Sequence, residues 1–505
     1  MSRISFLQDI LSTVLDRRGS EPHVEDDRPL QELCEALLSA RGEVSGNRLS
    51  HAILQRFHEG DEEEKLEFFL WMLHSLDIDA GMAAEAVASY TDDQSPETWQ
   101  ALVDATTPKR LELLRRINRI HDATGQLVGM RHDLSGLARE HRQLQRVDAD
   151  FESLFKTWFN RGFLVLREID WRTPANILEK IIRHEAVHAI NDWQDLRRRL
   201  EPPDRKCFAF FHPAMQDEPL IFVEVALTEG LPESIQQVLH PEREPIEADT
   251  ASVAVFYSIS NCQPGLRGVS FGNFLIKHVA TELANSFPKL SEFRTLSPLP
   301  SFAGWFSSTD SEDYSAACQS ASALQESLLF AMADQDPQVE HEQEREEWDT
   351  AADSTERDSD SGDDIDSVNN NSQPGDDEQV AETATSEAIA NLQVLRQTEL
   401  AKLAAAYLVK EKRHDQQPFD PVARFHLGNG ASLDAIIADG DMSEKGIRQS
   451  GGVMVSYLYD LNLVISQHEA YAGEQTIAYS KTVSRLLDEQ EPQSRFRIPG
   501  VRRTG

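Results

Sequence analysis

Residues 184–188 read HEAVH. On a helix, His184 and His188 stand one turn apart and could share a metal ion, with Glu185 as general base. That chemistry needs a third ligand, which the sequence does not supply. The longer protease pattern wants Gly at 191 and His at 194, where Asn191 and Gln194 stand. The pattern with a distant Glu meets Cys207, Phe208 and Ala209 instead, and Arg197, Arg198 and Arg199 would repel a cation. Leu178, Ile181, Ile182, Glu185 and His188 share one face of a helix. The stretch is therefore read as a helix with Glu185 and His188 packed against a sheet or near a pocket rim, with no metal.

Three other places offer chemistry. Ser297 stands at the end of a strand-like run, before Pro298, which cannot continue a hydrogen-bond ladder. Its hydroxyl can then face a cleft. His426 lies in FHLGNGA, where glycines and Asn429 imply tight backbone around an imidazole, a side chain that ordinarily titrates near neutrality. Tyr459 and Ser450, a little downstream, can hydrogen-bond in the same pocket. The loop RGVSFG (267–272) stands between a strand and a helix, where unpaired backbone N–H groups favour an anion. A serine near a histidine permits either proton transfer or nucleophilic attack. The chain has no GxSxG elbow, which lowers the hydrolase reading.

The elements that must position these groups change character along the chain. The first part is helical. Apolar spacing of helical period recurs in LQELCEALLSA and EEKLEFFLWMLHSL. Ser95-Pro96 and Thr107-Pro108 read as helix starts, and a further helix is expected over GLAREHRQLQRVDADFESLFKTWF. Residues 1–159 are expected to form an α-helical domain and 160–505 an α/β or α+β domain with a layered sheet. In the second part Thr173-Pro174 opens the helix expected to carry HEAVH. Strands are expected at 207–213, 219–228, 251–260 and 292–300. Helices are expected over NFLIKHVATELANSF and NLQVLRQTELAKLAAAYLVKEK. PVARFHLGNGASLDAI and GGVMVSYLYDLNLV complete the domain.

A chain of 505 residues can bury a sizeable core without staples. Its net charge of −37 argues against nucleic acid as a partner. Residues 334–387 hold 20 Asp or Glu against 2 Arg, so about half the excess lies in one acidic insertion, expected to be disordered. Cys34, Cys207, Cys262 and Cys318 form no CxxC pair, which fits a reducing, cytoplasmic setting. The first residues, MSRISFLQDILSTVLDRRG, read as an amphipathic helix rather than a signal peptide. No apolar run reaches membrane-spanning length.

The 267–272 loop resembles the loop with which GNAT-type acetyltransferases hold coenzyme A. Arg267 and Gly272 fit that pattern, and Ser270 replaces its first glycine. Taken in order, ANILEKIIRHEAVHAINDWQDLRRRL, CFAFFHPAMQDEPLIFVEVALT, VFYSISNCQPGLRGVSFGNFLIKHV, TLSPLPSFAGW and PVARFHLGNGA resemble malonyl-CoA decarboxylase across about residues 150–470. The resemblance implies a helical oligomerisation domain followed by a catalytic domain of GNAT fold. It implies malonyl-CoA as substrate, acetyl-CoA and CO2 as products, no metal or organic cofactor, no membrane and a homo-oligomer, a tetramer in the family. The family's catalytic serine falls on Ser297 and its catalytic histidine on His426; the residues themselves suggest that Ser297 holds the malonyl group and His426 donates the proton, or the reverse, with Tyr459 positioning either one. Its coenzyme A loop falls on Arg267, Gly268, Val269, Ser270, Phe271, Gly272 and Asn273. Its Glu-Ala-Val-His element has no metal role. This chain departs from the family in Ser270, where an acidic residue can stand, in the acidic insertion between Ser297 and His426, and in lacking a peroxisomal tripeptide. Two other classes use the same residues: a GNAT acyltransferase with an amine acceptor, and a non-catalytic acyl-CoA-binding protein.

Overall fold

A computed structural model of the chain describes residues 26–40, 42–269, 275–308, 315–333 and 397–488. The expectations for the first residues, for the acidic insertion and for Ser270, Phe271, Gly272 and Asn273 lie outside the described residues.

The first part is helical, from Leu30–Ser39 to Gln145–Trp158. Local signals set many of its boundaries. Asp61 and Glu64 form a reciprocal capping box at the start of Glu62–Ser75. Ser95 caps Pro96–Thr106 through the Thr98 amide, with Pro96 in the first turn. Thr107 does not cap the helix after it. Its hydroxyl turns back to the carbonyl of Val103, and Lys109–Ile117 begins uncapped after Pro108. The single helix expected over 136–159 is two, Ala123–Glu140 and Gln145–Trp158, separated by the 3-10 turn Arg142–Leu144. The helices close over one apolar core that includes Leu33, Phe68, Phe69, Leu113, Phe151 and Phe155.

The second part is built on a mixed sheet of eight strands. They are β1 (Val165–Ile169), β2 (Arg205–His212), β3 (Met215–Thr228), β4 (Val253–Asn261), β5 (Glu292–Thr295), β6 (Ser297–Pro298), β7 (Ser432–Ile437) and β8 (Met454–Leu458). Their order is β1-β2-β3-β4-β5-β8-β6, and β7 also pairs with β8. β4 runs parallel to β5, while β5, β6 and β7 are antiparallel to β8. β4 is buried on both faces along most of its length, as a strand inside a layered domain must be, and is apolar from Val253 to Phe256.

The strand expected over 292–300 breaks in two at Leu296. That residue donates its amide to Phe256 and buries its side chain in a core with Val253, Val255, Tyr257 and Met454. Ser297 and Pro298 then pair with Val455 and Met454 of β8. Pro298 sits where a ladder can do without its N–H.

The chain forms two compact units. The helical unit runs to Leu166 and takes in Phe210–Leu220 and the segment that starts at Asn261. The sheet unit holds Arg167–Ala209, Ile221–Ser260 and the chain beyond the glycine loop.

Candidate active site

Ser297, His426 and Tyr459 come together. The Ser297 Oγ lies 2.9 Å from His426 Nε2, and His426 Nδ1 lies 2.8 Å from the Tyr459 hydroxyl. All three are buried; His426 is 2 % exposed.

Each is placed by its own element. His426 rides in the last turn of the Pro421–Gly428 helix. The Asp420 carboxylate caps that helix through the amides of Val422 and Ala423, and Pro421 opens it. Gly430 then turns the chain with φ +81°, and a Cβ there would stand 2.0 Å from the Val464 carbonyl oxygen. Only glycine fits at that position. Ser297 belongs to β6 and Tyr459 follows β8, so the serine and the tyrosine are registered against each other through strand pairing.

Two residues that sequence reasoning passed over complete the set. The Thr295 Oγ1 accepts from the Ser297 hydroxyl at 2.9 Å and from the Tyr457 amide at 3.1 Å. The Tyr457 ring stacks on the imidazole, with centroids 4.5 Å apart and planes at 24°. The signal that finds them is the strand period of two. Thr295 precedes Ser297 by two residues, and Tyr457 precedes Tyr459 by two. Ser450 does not join the group. Its hydroxyl donates to the carbonyls of Gly446 and Val453 and closes a helix end.

Burial pushes the His426 imidazole down to about 3. Sequence alone suggested titration near neutrality. In this site nothing compensates the lost hydration of an imidazolium, so the ring is uncharged at neutral pH and carries one N–H. Burial also holds the Tyr459 hydroxyl well above its usual range. The site is thus a row of neutral hydroxyls and one neutral imidazole, able to pass a proton but not to hold a net charge.

The HEAVH stretch folds differently from its motif. The helix is Ala175–His184 and ends as the motif begins, with Glu185 at ψ 106°. His184 and His188 therefore do not stand one turn apart on a helix. Thr173 does not cap this helix. Its hydroxyl accepts from the Asp170 amide instead. The Glu185 carboxylate accepts from Ser258 at 2.7 and 2.8 Å, from Ser260 at 3.2 Å, and from the amides of Val187 and His188, both at 2.8 Å. Burial pushes the His188 imidazole down to about 4. Among the described residues, no three of His, Cys, Asp or Glu cluster closely enough to hold a metal ion.

At the glycine loop, Arg267, Gly268 and Val269 are described. Gly268 takes φ +83°, the left-handed region that favours glycine. Val269 is buried in the helical unit's core rather than turned to a ligand, and its amide bonds the Leu266 carbonyl. Arg131 holds the root of this loop. It is 3 % exposed, forms an ion pair with Asp148, and donates to the carbonyls of Gly265 at 3.0 Å and Arg267 at 2.8 Å. Gly265 has no room for a side chain, since a Cβ would meet the Val128 carbonyl oxygen at 1.9 Å.

Comparison with known proteins identifies the family of the chain. The malonyl-CoA decarboxylase C-terminal domain family matches residues 162–497, and the N-terminal domain family matches residues 77–159. The chain belongs to the malonyl-CoA decarboxylase family. The mitochondrial malonyl-CoA decarboxylase of Rattus norvegicus is 33% identical over 413 residues, 78% of this chain and 74% of that protein. That of Anser anser anser is 31% identical over 457 residues, 87% of this chain and 84% of that protein. The crystal structure of malonyl-CoA decarboxylase from Rhodopseudomonas palustris is 43% identical with a TM-score of 0.73, covering 90% of this chain and 98% of that one. The structure of the enzyme from Agrobacterium vitis is 41% identical with a TM-score of 0.73, covering 91% and 99%.

Proposed function

We propose that the hydrogen-bonded Ser297–His426 pair carries the proton step in the decarboxylation of malonyl-CoA to acetyl-CoA and CO2, with no metal or organic cofactor. The observation that supports this most is the 2.9 Å contact between two buried side chains that lie 129 residues apart in sequence. Loss of CO2 leaves an enolate on the thioester, whose own carbonyl is the electron sink. The carboxylate must leave perpendicular to the carbonyl plane, which is a task of orientation. The enolate carbon must then take up one proton per turnover. That carbon is a far stronger base than an alkoxide, so an uncharged hydroxyl or ring N–H is acid enough to protonate it. In this reading Ser297 hydrogen-bonds the malonyl group, His426 supplies the proton directly or through Ser297, and Tyr459 orients the imidazole. Coenzyme A is held by the glycine loop around Arg267 and Gly268, while Val269 packs into the core and Arg131 pins the root.

A mass balance tests this. EDTA-treated protein is incubated with malonyl-CoA and no amine, and acetyl-CoA, CO2, free coenzyme A and malonate are quantified. Equal amounts of acetyl-CoA and CO2 support the proposal. Free coenzyme A with malonate points to a thioesterase using Ser297. No turnover without an amine leaves the acyltransferase and the non-catalytic binding protein, which an acceptor screen separates.

The same reading places the protein in the cytoplasm as a homo-oligomer, a tetramer as in the family. All four cysteines are buried thiols, as a reducing compartment permits. No helix among the described residues is long and apolar enough to cross a membrane. The helices Ala80–Asp92 and Pro96–Thr106 bury no residue and leave Met82, Val87 and Trp99 more than half exposed, an apolar surface suited to a second copy of the chain. Light scattering of Trp99→Glu should show a smaller assembly than the wild type.

A further inference from the structure

The Ser297 hydroxyl has one proton and two acceptors at equal distance. Thr295 Oγ1 and His426 Nε2 both lie 2.9 Å away. Which one receives the proton decides the state of every group beyond it. The geometry at Thr295 has Ser297 as donor. The Ser297 oxygen must then accept from His426, so Nε2 carries the ring proton. A neutral imidazole has one N–H. Nδ1 is therefore bare and accepts from the Tyr459 hydroxyl, 2.8 Å away.

The opposite arrangement is poorer. If Ser297 donated to His426, Nδ1–H would point at Tyr459. The phenolic proton, 1 % exposed, would then have no acceptor among the described groups. A buried donor left unmade costs roughly 1–3 kcal/mol. The donor geometry at Thr295 and the partner of the Tyr459 proton favour the same direction.

We propose that Thr295 is a positioning residue that sets the direction of the proton row, Tyr459 to His426 to Ser297 to Thr295. This inference rests on the reading of Ser297 and His426 given above. Thr295 is itself fixed. It is wholly buried, and its oxygen accepts the amide of Tyr457, whose ring stacks on His426. Its Oγ1 keeps the serine proton turned away from the imidazole and the ring proton on the nitrogen that faces Ser297.

The chemical step then balances. The Ser297 O–H bond breaks as the C–H bond forms at the enolate carbon, and the pair left on oxygen takes the Nε2 proton. Tyr459 keeps its proton on the bond to Nδ1 throughout, and one proton from water, delivered back to Nε2, restores the row after each turnover. Without the Thr295 oxygen, Ser297 donates to Nε2, the imidazole adopts the other tautomer, and the row runs backwards.

The test uses the full chain. In wild-type protein labelled with 15N-histidine, the His426 ring signals, assigned by difference from His426→Asn, should show the proton on Nε2. A proton on Nδ1 would overturn the proposal with no threonine variant needed. Thr295→Val keeps the shape and removes the acceptor. Its kcat should fall about 10- to 100-fold, at or below the low end of a lost acid–base contribution, because Thr295 acts through Ser297. Its KM should stay within about twofold and its ring proton should move to Nδ1. Thr295→Ser restores the oxygen and should recover the wild-type tautomer and most of kcat, which also covers the case in which the valine variant does not fold. Wild-type kcat and tautomer in Thr295→Val would refute the role of Thr295 while leaving Ser297 and His426 in place. Undiminished turnover in His426→Asn would refute the underlying site instead.

Discussion

Two buried polar groups in the sheet unit invite comparison. One is the Glu185 cluster at HEAVH, and the other is the row from Thr295 to Tyr459. Both tie a distant segment to the sheet, and both bury oxygen and nitrogen atoms away from water. They differ in what is left over. The Glu185 carboxylate receives two serine hydroxyls and two backbone amides. A carboxylate so filled has little capacity for a substrate or a metal. In the other row each oxygen and nitrogen can exchange donor and acceptor roles with its neighbour, because none is charged. Saturation makes the first group a brace. Reversibility makes the second a path for protons.

The largest effect should come from breaking the row at its centre. His426→Asn should lower kcat by about 100-fold or more, within the range of a lost general acid, while coenzyme A binding persists. Steady-state rates together with isothermal titration of coenzyme A would check both halves. Turnover at the wild-type rate would mean that the row is also a brace.

The converse applies to Glu185. Glu185→Ala leaves Ser258, Ser260 and two amides without their acceptor and should destabilise the fold by roughly 2–5 kcal/mol. Turnover per folded molecule should be unchanged. Urea unfolding and active-site titration separate these quantities. A stable variant without activity would move Glu185 from brace to catalyst.

Acid should act through the same two places. The folded state holds His426 at about 3 and His188 at about 4, against an ordinary 6.5. Below about pH 6.5 the unfolded chain binds protons that the folded chain refuses, so stability is complete above that pH and declines as pH falls. Each histidine contributes at most about 1.4 kcal/mol per pH unit. Urea midpoints at pH 7 and pH 5 should differ less in His426→Asn than in the wild type. Between these values the kcat of the wild-type enzyme should show no step near 6.5.

The smallest effect should lie in the helical unit. Arg131→Met removes the donor that holds the Gly265 and Arg267 carbonyls at the root of the glycine loop. KM for malonyl-CoA should rise several-fold, with kcat changed less. A fall in kcat alone would show that the loop root orients the reacting carbon rather than the nucleotide end.

Much of this was legible in the sequence. Helical period, the Ser95-Pro96 start and the apolar runs of β3 and β4 place most elements, and LSP and FHLGNGA mark the two residues that meet. Other features are tertiary. HEAVH keeps helical spacing through residue 188, yet the helix stops at His184 because Glu185 gains four donors by leaving it. Thr107 and Thr173 look like caps, but their hydroxyls bond elsewhere. Thr295 was visible only through alternation, and that signal has meaning once Ser297 is known to face His426. The depressed titration of His426 depends on complete burial, which no local pattern states.

β8 links these observations in another way. It pairs with β6, which carries Ser297, and it carries Tyr457 and leads into Tyr459; an irregularity between Leu433 and Ala435 marks its pairing with β7. Side chains on a strand alternate faces, so a slip of one residue would turn both tyrosines away from the imidazole and bring their neighbours in. The burial of β8 and its pairing with β5, β6 and β7 hold it against such a slip. Turnover in this protein therefore reports the alignment of a single five-residue strand.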